Sequence, residues 1–211
     1  MREKPVIIIG AGGHGKVLLD TLLDMGTQVI GFLDNDAALQ GKEIFGIPIL
    51  GKDEEIVRYQ SDEVKLVNGI GSVGMATLRR NVYEKFKAKG FHFRQVIHPS
   101  AVISQRTVLE EGVQVMAGAV INIGSRIGED TIINTRASVD HDCRIGKHAH
   151  IAPGVTLSGG VSVGDETLIG MGSSVIQGIG IGSRTVVGAG SLVIRNILDS
   201  VTVFGVPACI P

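Results

Sequence analysis

From Val96 the sequence divides into sixes, "VIHPSA VISQRT VLEEGV QVMAGA VINIGS RIGEDT IINTRA SVDHDC RIGKHA HIAPGV", and continues in that register to Ile197. The second residue of every six, from Ile97 through Val139, Ile145 and Ile151 to Val193, is Ile, Leu or Val, and the sixth, from Ala101 to Ser191, is mostly small. An α-helix would repeat its apolar residues near every 3.6 and a lone strand every 2. A strict six fits neither. It fits a parallel β-helix in which each six makes one flat side, three sixes make a coil, and every coil buries its face only against the next. Glycines are frequent at the third position (Gly128, Gly146, Gly164, Gly170, Gly182, Gly188), where the chain is expected to bend.

Composition agrees with a core built from small branched pieces: 30 glycines and only 4% aromatic residues. With 20 basic and 21 acidic residues and no basic block, nothing points to nucleic acid or a membrane surface. Two cysteines, Cys143 and Cys209, make no disulfide framework. The run in "MREKPVIIIG" is too short for a signal or spanning segment, so a cytoplasmic protein is expected.

The first half reads differently. Val6 to Ile9 is a continuous apolar run, as in a buried parallel strand. Gly10, Gly12 and Gly15 follow as G-x-G-x-x-G, opening a helix that carries Val17, Leu18, Leu22 and Met25. The next strand, "QVIGFLD", ends at Asp34; "KDEEIVRY" reads as a short helix, "VKLVNGIG" as a third strand and "MATLRRNVYEKFKAKG" as a helix. Free N–H groups at the first helix start suit a phosphate, and Asp34 suits a ribose hydroxyl. A unit of about three strands is half a dinucleotide fold and matches a nucleoside diphosphate, as in a nucleotide-sugar, better than NAD. The alternative is that the glycines only permit close strand–helix packing. Expected domains are 1–92, a small Rossmann-like α/β unit, and 93–211, the β-helix.

"VDHDCRIGKHAHI" concentrates three histidines, two aspartates and a cysteine. The register separates them. Cys143 takes the inward sixth position, a small buried filler with little thiolate character. His141, His148 and His150 fall fourth, fifth and first in their sixes, so they face outward or lie at corners. Their spacings do not suit a structural zinc, and no metal is expected. His148 reads as a solvated turn residue, and His92 and His98 as structural.

A Gly-rich α/β unit fused to a hexapeptide β-helix, with "GAGGHGK", "GFLDND", "VDHDCRIG" and "VFGVPA", resembles the sugar O-acyltransferase family related to sialic acid O-acetyltransferases. Within it the chain is most similar to UDP-4-amino-sugar N-acetyltransferases. The resemblance implies a left-handed β-helix, acetyl-coenzyme A as donor, a homotrimer with sites between subunits, and a nucleotide-linked amino sugar, most simply UDP-linked, as acceptor. It implies His141 as general base with Asp142 raising its basicity. His150, the Gly159 N–H, Met171 and Ile176 face the acetyl donor; Gly12, Gly13, His14, Asp34, Asn35, Ser72 and Asn134 face the nucleotide-sugar. Asn35 stands where the family has an acid, Ser72 where it has Asn, and Cys209 where it has a base. A sugar O-acetyltransferase, a non-catalytic nucleotide-sugar-binding β-helix, and an NAD-dependent oxidoreductase are the other readings.

Overall fold

The computed structural model describes residues 4–72 and 77–210, so Met75 and Ala76 at the head of the expected second helix lie outside the described residues. The N-terminal unit runs β1 (Val6–Ile9), α1 (Gly13–Asp24), β2 (Val29–Leu33), β3 (Glu43–Ile44), β4 (Ile47–Gly51), β5 (Lys65–Asn68) and α2 (Thr77–Ala88). The strands lie in the order β3-β4-β2-β1-β5, parallel except for the β3–β4 hairpin. β1 is apolar on both faces because both are covered. Ile8 and Val6 pack with Leu18, Leu19 and Leu22 of α1, whereas Ile7 and Ile9 pack with Val82, Tyr83 and Phe86 of α2. The unit therefore has five strands where the sequence predicts about three. The missed hairpin consists of a two-residue strand and a strand carrying Pro48, too short and too broken for a periodic signal. "KDEEIVRY" forms a 3-10 helix, Asp53–Arg58.

The chain leaves β1 for β2 on one side and returns to β5 on the other. That reversal opens a crevice at the carboxyl ends of β1 and β5, where doubly wound sheets bind ligands. Gly10 and Gly69 line it.

From β6 (Val96–Ile97) onward, one two-residue strand falls in each six as far as β22 (Leu192–Val193), followed by β23 (Thr202–Val203). They stack into three parallel faces of seven, six and five strands, residues pairing with those 18 further on, as in Ile121↔Val139↔Leu157↔Val175, until Val186 and Val187 pair with Thr202 and Val203 at the end. The result is a left-handed parallel β-helix. Second-position aliphatics and sixth-position small residues fill its interior, Cys143 and Ile145 among them. Sixth-position hydroxyls also bond the next coil: Ser125, Thr131, Thr167 and Ser173 each donate to the carbonyl 15 residues on.

The bend is not at the third position. Every fifth residue from Gly112 to Gly190, including Asp130, Arg136, Asp142 and His148, has φ between +53° and +78°. Third-position glycines serve another purpose. A Cβ on Gly128 would come within 2.7 Å of the Gly146 backbone in the next coil. They permit coils to approach closely at that corner, which any side chain would prevent.

The N-terminal unit docks on the first coils of the seven-stranded face. Val96 and Met116 share one core with α1. Beside them lies a buried polar joint. Arg79 of α2, with 0% exposure, donates to the Asp130 carboxylate at 2.7 Å, to the Asp130 carbonyl at 2.9 Å, and to the carbonyls of Asn68 and Ile70. Asn68 Nδ2 also donates to Asp130. No helix of the described residues is long and apolar enough to cross a membrane.

Candidate active site

His141 sits in the turn between β13 (Ser138–Val139) of the six-stranded face and β14 (Arg144–Ile145) of the five-stranded face. Three contacts hold it. Its N–H donates to Asp140 Oδ1 at 2.8 Å, its carbonyl accepts from Gly160 N–H at 2.9 Å, and its Nδ1 meets Asp142 Oδ2 at 2.8 Å. Asp142 occupies the left-handed fifth position at φ +60°, a conformation that Asp tolerates better than most residues. A carboxylate only accepts, so Nδ1 carries the proton and Nε2 keeps a lone pair. The hydrogen bond to Asp142 and then the charge of Asp140 raise the imidazole above its ordinary pKa. Asp140 is a site residue the sequence reading missed. The His141 N–H and Asn122 Nδ2 hold its carboxyl below the usual range.

Gly159, one coil further on, lies flat against this ring: a Cβ there would fall 2.5 Å from His141 Nε2. No group of the described residues accepts from the Gly159 N–H. Ile176 follows at the same corner, 42% exposed, whereas Met171, 61% exposed, sits at the other edge of the six-stranded face.

The crevice in the N-terminal unit holds the second group. Gly10, Gly12, Gly13, His14, Asp34, Gly69, Ile70, Gly71 and Ser72 line a cavity of about 490 Å³. A neighbouring cavity of about 260 Å³ is lined by Ile9, Leu33, Asp34, Asn35, Asp53 and Leu78. Asp34 stands between the two and stiffens the loop, its oxygens accepting from Ala11 N–H at 2.7 Å and Asp36 N–H at 2.8 Å. Asn35 accepts from Asp53 N–H at 3.1 Å, so its oxygen is committed to that turn. Its side chain still borders the smaller cavity.

His150 and His148 depart from the surface reading. His148 is 6% exposed, with Nδ1 3.1 Å from Asp130 Oδ2 and its ring edge-on to Tyr83. It is part of the joint between the two units, because α2 covers the corner that would otherwise be solvated. His150, on the seven-stranded face, is 8% exposed for the same reason. Its Nε2 faces Asn134 Nδ2 at 3.0 Å, and burial, then Arg79, push its pKa down to about 4. His14 reaches across to Gln114 of β9 (Gln114–Val115) at 2.7 Å and is pushed down to about 3 by burial and Arg79. Gln114, Arg79 and Asp130 were not singled out from sequence; a fully polar cluster formed by four distant segments leaves no local pattern. His98 Nδ1 caps Ser100, and His92 is an exposed neighbour of Glu111. Cys143 is buried, its thiol donating to the Ser158 carbonyl at 3.3 Å and pushed up by burial. Cys209 is exposed near the chain end. Among the described residues no three His, Cys, Asp or Glu side chains converge as a metal set.

Fold and site together define a hexapeptide-repeat transferase: an α/β unit with a ligand crevice, docked on a β-helix that carries an activated histidine at an open corner. Residues 5–86 match the family model described as the PglD N-terminal domain, and residues 124–159 match that of the bacterial transferase hexapeptide (six repeats). The chain is 43% identical to PerB from Caulobacter crescentus, solved in complex with CoA and GDP-perosamine, with a TM-score of 0.91 over 98% of this chain and 97% of that one. Mutants of that perosamine N-acetyltransferase with a histidine replaced by Asn or Ala have also been solved. The acetyltransferase domain of PglB from Neisseria gonorrhoeae FA1090, solved in complex with acetyl coenzyme A, is 34% identical with a TM-score of 0.91, each chain covered in full. UDP-N-acetylbacillosamine N-acetyltransferase of Bacillus subtilis (strain 168) is 40% identical over 117 residues, 54% of this chain and 52% of that protein; the match spans about half the length of that curated relative. The chain belongs to the hexapeptide-repeat transferases with a PglD N-terminal domain.

Proposed function

We propose that the chain is an acetyl-coenzyme A-dependent N-acetyltransferase acting on the 4-amino group of a nucleotide-linked amino sugar. The observation that carries this reading is the corner where His141, polarised by Asp142, lies against Gly159, whose N–H has no acceptor among the described residues. His141 Nε2 takes the proton released as the sugar amine attacks the thioester carbon. The Gly159 N–H donates to the oxygen on which charge develops, and the proton on Nε2 passes to the departing sulfur. No covalent enzyme intermediate is required, since the neighbouring thiol of Cys143 is buried and protonated.

The crevice binds the acceptor. Gly12 and Gly13 N–H groups at the start of α1 suit the diphosphate, the smaller cavity beside Asn35 the base, and His14, Ser72 and Asn134 the sugar. Met171, Ile176 and His150 border the acetyl donor. The similar proteins are named for UDP and for GDP sugars, so the nucleotide is chosen within the cavity that Asn35 borders.

The active protein is a homotrimer with sites between subunits, because one prism cannot bring His141 to His150: one stands at a corner, the other on the face opposite that corner. The test is CoA release from acetyl-coenzyme A in the presence of UDP-, dTDP- and GDP-linked 4-amino sugars. Turnover with none of them, or turnover unaffected by His141→Ala, overturns the reading.

A further inference from the structure

Two buried imidazoles, His14 in the lining of the acceptor crevice and His150 beside Ser72, each touch an amide whose orientation the backbone dictates. Gln114, with 0% exposure, donates through Nε2 to the Asn68 carbonyl at 2.8 Å. A carbonyl only accepts, so the other end of this amide, Oε1, faces His14 Nε2 at 2.7 Å. Nε2 of His14 must then carry the proton. With its pKa pushed down to about 3 by burial and Arg79, the ring holds no second proton, and its Nδ1 is a bare acceptor. No group of the described residues occupies that nitrogen.

His150 is the mirror case. The Asn134 oxygen accepts from the Thr135 N–H at 2.7 Å. Its NH2 therefore faces His150 Nε2 at 3.0 Å and donates to it. Nε2 is a lone pair, and the single proton of this neutral ring sits on Nδ1. That atom is buried against the Ser72 backbone, and the hydroxyl of Ser72 is buried and unpartnered among the described residues. An orphaned buried hydroxyl costs stability, which sets Ser72, in the lining of the crevice, apart. Arg79 lowers both rings, and His150 itself lowers His14.

We propose that Gln114 and Asn134 are positioning residues that lock His14 and His150 in opposite tautomers. The crevice wall then holds one fixed acceptor, His14 Nδ1, while the Nδ1–H of His150 is turned inward to the Ser72 backbone. A sugar hydroxyl, which can donate to that nitrogen, is the group such a wall reads. A phosphate, which only accepts, is refused at His14 and left to the Gly12 and Gly13 amides. The inference rests on reading the crevice as a nucleotide-sugar site.

The test is a long-range 1H–15N spectrum of the full protein labelled at histidine, with His14→Asn and His150→Asn used to assign the signals. The expected result is a neutral Nε2–H pattern for His14 and a neutral Nδ1–H pattern for His150, both unchanged across the neutral pH range. Gln114→Glu puts a carboxylate on His14 Nε2 and should raise its titration, increasing KM for the 4-amino sugar nucleotide about tenfold while KM for acetyl-coenzyme A holds. An imidazolium or the other tautomer at either ring in the unmutated protein overturns the proposal. So does a Gln114→Glu variant whose His14 signals and KM do not move. Spectra as expected, with no amino sugar acetylated, would overturn the function and leave the tautomers standing.

Discussion

His141 and His150 stand nine residues apart in sequence and on opposite sides of the prism. His141 occupies the corner between the six- and five-stranded faces; His150 lies on the seven-stranded face. A shared site needs two chains, which gives the first prediction. His141→Ala and His150→Asn are each expected to be inactive alone. In the proposed homotrimer, subunits mixed in equal amounts should regain about a quarter of the wild-type sites, those pairing an intact His141 with an intact His150 from the neighbour. Absence of recovery in verified mixed trimers would place both histidines in one chain's site.

The His141–Asp142 bond at 2.8 Å predicts a pH profile. In the proposed mechanism the working base is the neutral imidazole of His141, and its pKa is raised above the ordinary 6.5 by Asp142 first and Asp140 second. The acidic limb of kcat/KM should therefore lie above 6.5. Asp142→Asn should move that limb to lower pH and lower the plateau, since a less basic imidazole is a weaker proton acceptor. The sign for stability is the opposite one. A raised folded-state pKa stabilises below the unfolded value, and that contribution is lost as pH rises through the raised one. With both groups largely exposed, the stability effect should be small and the kinetic one large.

Gly159→Ala should cost activity without unfolding the coil. The position is not in the left-handed region, so the backbone accepts alanine, but the new methyl would stand 2.5 Å from His141 Nε2. Displacing a catalytic ring by about 1 Å lowers turnover on the order of 100-fold. Thermal denaturation within a degree or two of wild type, together with that loss in kcat, is the expected pair of measurements.

Cys143 offers the contrast. Its thiol donates to the carbonyl 15 residues on, the place taken by Ser125, Thr131, Thr167 and Ser173 in other coils. Cys143→Ser should keep both the ladder and full activity. Cys143→Ala should lose about 1 kcal/mol of stability and keep its turnover. A large fall in kcat for either variant would give the thiol a role in catalysis.

The Arg79–Asp130 pair has no exposure on either side. Arg79→Met leaves a buried carboxylate facing only Asn68 and His148, and should cost about 3–5 kcal/mol. Chemical denaturation measures it. Because Arg79 also lowers His14 and His150, loss of the guanidinium should raise both titrations in a variant that still folds.

Much was legible in advance where the pattern is local and repeated. The period of six placed the second- and sixth-position residues of the β-helix core, including Cys143, Ile145 and Ile151, because each coil repeats the same inward geometry against the next. The glycine fingerprint after Val6–Ile9 marked the crevice for a similar reason: a strand, a tight turn and a helix start are one continuous piece of chain. The assignment of the bend to the third position was wrong. Composition alone does not separate a glycine needed for φ from one needed for close approach, and the fifth position reaches positive φ with Asp, Arg, His and Glu as well as with Gly.

The histidines show the limit more sharply. Their register determined that His141, His148 and His150 leave the interior of the β-helix, since a side chain either points into the coil or does not. What each meets outside was decided by tertiary structure alone. α2 and the loop at Asn68–Ser72 close over the seven-stranded face, bury His148 against Asp130 and Tyr83, and strip His150 and His14 of their charge, whereas His141 stays half exposed. The physical reason is that periodicity encodes direction, while protonation depends on the dielectric and on partners that come from segments as far as 100 residues away.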